Sequence, residues 1–201
     1  MDIFILTMVV AIGAHMLRAK YQRRRIALLG SHLAHYQIEK LMESLTEGYL
    51  RALGEADIAR REQIWNLLTS TESALCDQLK RFAAGFAKVD EADARISKFA
   101  LTIPYADKLF PAATFDLRKA LAIHAQGIAH AAESAFNTPP KARAFTLSAE
   151  LFLLQHTCHW FCKSKPIASA RMLARHKTSY PQLLASVAPD TRKAYCSLTG
   201  C

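Results

Sequence analysis

The chain predicts an all-α protein: an N-terminal single-pass membrane anchor helix followed by a multi-helix bundle with a long antiparallel helical hairpin. Three observations carry this expectation. An uncharged apolar run extends from Ile3 to Leu17 and is followed at once by Arg18, Lys20, Arg23, Arg24 and Arg25. Beyond it, apolar residues recur three and four apart, the period of a helix with one buried face. No stretch shows the β-branched alternation that marks a strand.

The apolar run holds fifteen residues, fewer than the roughly 20 that span a hydrocarbon core, so its length leaves a buried core helix or a processed signal as alternatives. Snorkelling Arg18 or Lys20 extends its reach. All five basic side chains lie C-terminal to the run, and only Asp2 precedes it. A Lys/Arg excess marks the cytoplasmic flank, so Arg18, Lys20, Arg23, Arg24 and Arg25 are membrane-orienting: the N-terminus faces out and the rest is cytoplasmic. A cleaved signal peptide carries its positive charge at the other end and a small-residue cleavage site after the core. The plan suits a bacterial inner-membrane protein by analogy of architecture.

Two segments follow: residues 1–25, the transmembrane anchor with its basic juxtamembrane stretch, and residues 26–201, one cytoplasmic helical domain. Within the second, Ser31 to Leu53 reads as a helix with Ile38, Leu41, Leu45, Tyr49 and Ala52 on one face, stopped by Gly54. Asp57 caps a longer helix whose stripe is Ile58, Trp65, Leu68, Leu75, Leu79, Phe82, Phe86 and Val89, a near-heptad, coiled-coil-like spacing. The short link makes the two an antiparallel hairpin. The pattern resumes with Ile96, Phe99 and Ile103, either straight through Asp90 or restarting there, so the hairpin reads as residues 31–103.

Pro104 and Pro111 bound a loop, and helices fill residues 112–201. Phe115 to Phe136 is alanine-rich, with the stripe Leu117, Leu121, His124, Ile128, Ala131 and Ala135; its small side chains admit a close neighbour. After Pro139 and Pro140, Lys141 to Ser164 is the most hydrophobic helix beyond the anchor. Pro166, Pro181 and Pro189 break the tail into short basic pieces.

The net charge of +9 is unevenly distributed: residues 138–201 alone carry +7. Lys163, Lys165, Arg171, Arg175, Lys177, Arg192 and Lys193 form a basic surface. It is read as a solvated or partner-protein face, or as a contact with the anionic leaflet at roughly 1 kcal/mol per residue. Nucleic acid is the weaker rival, because no zinc finger, homeodomain or RNP-type motif is present. The five cysteines, odd in number and irregularly spaced, read as free thiols of a reducing cytosol.

Reactive side chains gather once, from His156 to Cys162. Cys158 and Cys162 are i,i+4 neighbours with His159 in the same arc, and His124 on the preceding helix is the natural further ligand or base. The expectation is nonetheless that no metal is held: free cysteine commonly fills a core, and no C-x-x-C, H-E-x-x-H or haem signature occurs. No nucleotide-binding glycine motif or E-x-x-H pair is found either, so no catalytic residue and no cofactor are expected. Glu72 sits alone in an apolar register, which places it at a rim or in a hydrogen bond to a neighbouring helix. The expected function is therefore a membrane-tethered helical interaction, assembly or regulatory protein, acting through a protein partner or self-association. The alternative is a membrane-associated enzyme or a metal- or redox-sensing protein using the His156–Cys162 cluster with His124.

Overall fold

Helix α1 spans Asp2–Leu33 without a break, in a computed structural model that describes residues 2–133 and 138–201. Its first half stands clear of the other described residues: every side chain from Ile3 to Leu17 is exposed. Its second half docks, because Gln22, Arg25 and Leu29 recur at three- and four-residue spacing and all are buried. The helix expected from Ser31 begins only at Ile38, since Ser31, His32 and Leu33 still belong to α1. No glycine or proline marks this break. Tyr36 instead sets its ring edge-on to Phe82 at 6.0 Å, and its N–H donates to the Leu33 carbonyl, turning the chain.

Helices α2 (Ile38–Gly54) and α3 (Ile58–Phe86) form the long antiparallel hairpin. Asp57 caps α3, its Oδ1 accepting from the Arg60 N–H at 3.0 Å. Ile38, Leu45, Tyr49 and Ala52 of α2 are buried, as are Trp65, Leu68, Leu75, Leu79, Phe82 and Phe86 of α3. At Gly48 the helices approach closely: a Cβ there would meet a Leu68 methyl, which would have to turn aside. Ile58, at the tip, is exposed.

Asp90 does act as a cap, accepting from the Ala92 N–H at 2.8 Å, but the helix it starts, α4, covers only Glu91–Ala94. The helical pattern expected through Ile103 gives way to a strand, β1 (Arg95–Ser97), antiparallel to β2 (Thr114–Asp116). The pairing sets Ile96 opposite Phe115, both buried, and the Trp160 indole N–H donates to the Ser97 carbonyl at 2.9 Å. Long-range packing thus overrides the local period. Between the strands lie α5 (Ala106–Leu109) and a 3₁₀ turn, Pro111–Ala113.

Helix α6 runs Leu117–Glu133, two residues later than expected because Phe115 and Asp116 belong to β2. Ala135 and Phe136 of the expected helix lie outside the described residues. Helix α7 (Pro140–Cys162) is the central element, buried on several faces, with α6 on one side and α8 (Lys165–His176) folded back along another. The prolines do more than interrupt the tail. Pro166, Pro181 and Pro189 occupy the first turns of α8, α9 (Tyr180–Ser186) and α10 (Pro189–Thr199), where a missing N–H costs nothing. Ser179 and Gln182 complete a capping box on α9. Small side chains of α6 do admit a neighbour: a Cβ on Gly127 would strike Thr191 of α10 and lie 2.9 Å from Glu150 Oε2 of α7.

The five cysteines are not all free. Gly200 takes a left-handed conformation (φ 75°) that ends α10, its N–H donating to the Cys196 carbonyl at 2.8 Å. That reversal returns Cys201 over Cys196, and the two form a disulfide with Cα atoms 4.9 Å apart. Cys76, Cys158 and Cys162 are free thiols.

Candidate functional site

The basic run after the apolar segment divides between side chains that dock into the body and side chains left exposed. Arg24 makes a bidentate pair with Asp93 at 2.8 and 2.9 Å, and Arg25 is buried, its guanidinium 4.1 Å over the Phe161 ring and donating to the Arg95 carbonyl. Gln22 donates to Thr102 Oγ1 at 3.1 Å and accepts from Lys163 Nζ at 3.0 Å; Thr102 in turn donates to the Lys163 carbonyl. Tyr21 meets Tyr105 with ring centroids 6.0 Å apart. Lys20 and Arg23 are exposed and Arg18 is half-buried. So α1 is gripped by a collar drawn from α4, the loop after β1 and the end of α7. Charge alone could not say whether a guanidinium meets headgroups or Asp93. The available signal was Gln22, an uncharged polar residue three positions before Arg25.

The His156–Cys162 cluster splits into separate environments. The Thr157 hydroxyl donates to the Leu153 carbonyl at 2.9 Å, so its two other contacts, Tyr195 Oη and His124 Nε2, both at 2.9 Å, must donate to it. His124 therefore carries its proton on Nε2, and its Nδ1 has no partner among the described residues. With the hydroxyl proton spent on Leu153 and His124 acting as donor, Thr157 is not set up as a nucleophile beside a base. Burial pushes His124 down to about 3, helped by His156, and His156 down to about 4, helped by Lys165; both are neutral near pH 7. His156 contacts Ser169 Oγ at 3.0 Å and stacks on Tyr180 at 4.6 Å.

Cys158 faces the main core, where burial raises its thiol to about 12. Burial also raises Cys162, with Arg25 opposing. Neither is a thiolate at neutral pH, and His124 spends its Nε2 on Thr157 rather than on Cys158. His159 turns outward to Arg171 at 3.3 Å. Among the described residues no three histidine, cysteine or acidic side chains converge to hold a metal ion. Beside this network a cleft of about 480 Å³ opens between α6 and α10, lined by Gly127, His130 and Thr191.

The basic tail does not form one face. Lys163 joins the collar, Lys165 lies 5.1 Å over Trp160 and 4.6 Å over Tyr180, and Arg171 reaches His159. Helix α8 then retreats along α7, His176 stacking on Phe152, so Arg175 and Lys177 lie away from the collar. Arg192 and Lys193 are exposed on α10. Glu72, the misfit of the apolar stripe, is fully buried and bonded to neighbouring helices through Tyr49 and Arg143. No known protein family, characterised protein or solved structure matches this chain.

Proposed function

We propose that this chain is a membrane-tethered interaction protein whose helical hairpin is held out from the bilayer for a protein partner. One observation carries the proposal: α1 enters the bundle as a single unbroken helix and is locked there by Gln22, Arg24 and Arg25. Helix α3 runs antiparallel to it, since Phe86 meets His32, Phe82 meets Tyr36 and Asp93 meets Arg24. The tip of the hairpin is therefore its membrane-distal end. Helix α7 begins at the level of Glu72, through Arg143, so the turns of α3 before Glu72 reach about 20 Å further at 1.5 Å per residue. Leu50, Leu53, Ile58 and Leu67 are exposed on this arm, Leu67 at 72%. Large apolar side chains left exposed toward one end of a molecule are a mark of an interaction surface.

The Lys/Arg asymmetry supports a cytoplasmic body. The enzymatic or redox alternative draws no support from the protonated thiols or from the committed hydroxyl of Thr157. The test is site-specific photo-cross-linking of the full chain in its native membrane. A benzophenone side chain at Leu53 should trap one defined species, lost in a Leu50→Asp/Leu67→Asp variant, whereas one at Lys80 should not. Equal trapping at both positions, or none at Leu53, refutes the partner surface. Alkaline carbonate extraction of the same membranes tests the tether.

A further inference from the structure

We infer that the loop of residues 98–110 is a second membrane contact, with Leu101, Tyr105, Leu109 and Phe110 resting in the lipid interface beside the anchor. The inference rests on reading α1 as a membrane span. These four side chains are exposed, Leu101 and Leu109 each at 63%, although the chain buries comparable residues elsewhere. The collar fixes where they sit. Tyr105 packs against Tyr21 and Thr102 bonds Gln22, so the loop is held at one level of α1. Arg18 and Ala19 are already half-buried, so the edge of the body reaches the turn next to Leu17, the last residue of the apolar run.

One helical turn is about 5.4 Å, and the interfacial layer on each side of the hydrocarbon is about 5–7 Å thick. The loop therefore falls within that layer if Leu17 ends at the hydrocarbon boundary. The short anchor pulls it deeper: fifteen apolar residues at 1.5 Å each cover about 22 Å of a core about 30 Å thick. The side chains match the site, since Tyr105 with Lys108 5.8 Å from its ring is the aromatic and cationic pairing that interfaces favour. Tyr105 also holds a left-handed backbone (φ 59°), uncommon for a non-glycine residue, and that keeps its ring beside Tyr21.

The test uses the full chain in vesicles of phosphatidylethanolamine and phosphatidylglycerol, with lipids brominated either high or low on the acyl chain as quenchers. Leu109→Trp should add fluorescence, over the background of Trp65 and Trp160, that shallow bromines quench about twofold more than deep ones. Ile12→Trp, the control, should be quenched most by deep bromines. Quenching at Ile12→Trp without quenching at Leu109→Trp overturns the second contact and leaves the anchor standing. No quenching at either position overturns the anchor itself. Blue-shifted but unquenched Leu109→Trp emission means protein covers the loop, which also overturns the inference.

Discussion

The Tyr49 hydroxyl donates a 2.7 Å hydrogen bond to Glu72 Oε1, while Arg143 Nη2 faces the other carboxylate oxygen at 3.7 Å. Three helices, α2, α3 and α7, thus meet at one buried ion pair, and burial beside Glu72 keeps the Tyr49 phenol protonated. Removing one partner of a buried pair leaves the other uncompensated. Arg143→Met should therefore destabilise the full chain by about 3–5 kcal/mol, and Tyr49→Phe by about 1.5–3 kcal/mol. The double variant Glu72→Leu/Arg143→Met should recover most of the first loss. Thermal melts followed by circular dichroism in detergent micelles measure all three; a double variant no better than Arg143→Met removes the pair as the cause.

Leu79 and Lys80 are adjacent on α3 and opposite in environment, the first buried and the second exposed. Leu79→Ala should cost about 2–5 kcal/mol, and Lys80→Ala less than about 0.5 kcal/mol. Equal shifts in the melting midpoint would mean that the phase of α3 is misassigned.

Acid should loosen the bundle before its carboxylates titrate. His124 and His156 are held near 3 and 4 against 6.5 when unfolded, so the unfolded chain binds more protons between those values. The stability they allow is complete above pH 6.5 and falls as pH drops toward the folded values. At pH 5 each costs about 2 kcal/mol. Glu150 has the opposite sign: burial raises its carboxyl, so its contribution is present at low pH and lost as pH rises through the raised value. Melting midpoints from pH 7.5 to 5 should fall in the native chain and fall less in His156→Asn, with Glu150→Gln separating the opposing effect.

Thiol reactivity should divide the cysteines. Burial raises Cys76 to about 11 and Cys158 to about 12, so iodoacetamide at pH 7.5 should leave both unmodified in the folded chain. After mild reduction, Cys196 and Cys201 should be labelled first. The same pair reports on sidedness, because structural disulfides belong to oxidising compartments. The Cys196–Cys201 link runs against the proposed cytoplasmic body, and alkylation in intact cells decides between them: a uniformly oxidised pair reverses the proposed orientation, whereas thiols at both positions keep it.

Periodicity announces a residue when burial on one helix face is all that its position asks. Leu75, Leu79, Phe82, Leu121, Leu147 and Leu151 are such positions, and each is buried. The strands escape because three residues, Arg95-Ile96-Ser97 against Thr114-Phe115-Asp116, are too short to alternate. The break before α2 escapes because it is made by a backbone turn bond from Tyr36 to Leu33 and an aromatic contact 46 residues away, with no glycine or proline to mark it. The Cys196–Cys201 link turns on a single glycine. At the candidate site, the sequence leads to the expectation that Arg24 and Arg25 orient an anchor, whereas Asp93 and Phe161, which they contact, come from distant segments that periodicity does not connect to them.

A shaft with no joint transmits motion. If α1 crosses a bilayer as proposed, the contacts of Gln22, Arg24 and Arg25 make the body and hairpin follow the anchor, with the fulcrum at the lipid surface. From Leu17 to His32 along α1, and from Phe86, which meets it, back to Ile58 along α3, the span is about 60 Å at 1.5 Å per residue. A helix that tilts to match its bilayer changes angle with bilayer thickness. At that length, ten degrees of tilt swings Leu53 and Ile58 through about 10 Å. Under the proposed tether, bilayer thickness would thereby set where the arm presents its leucines.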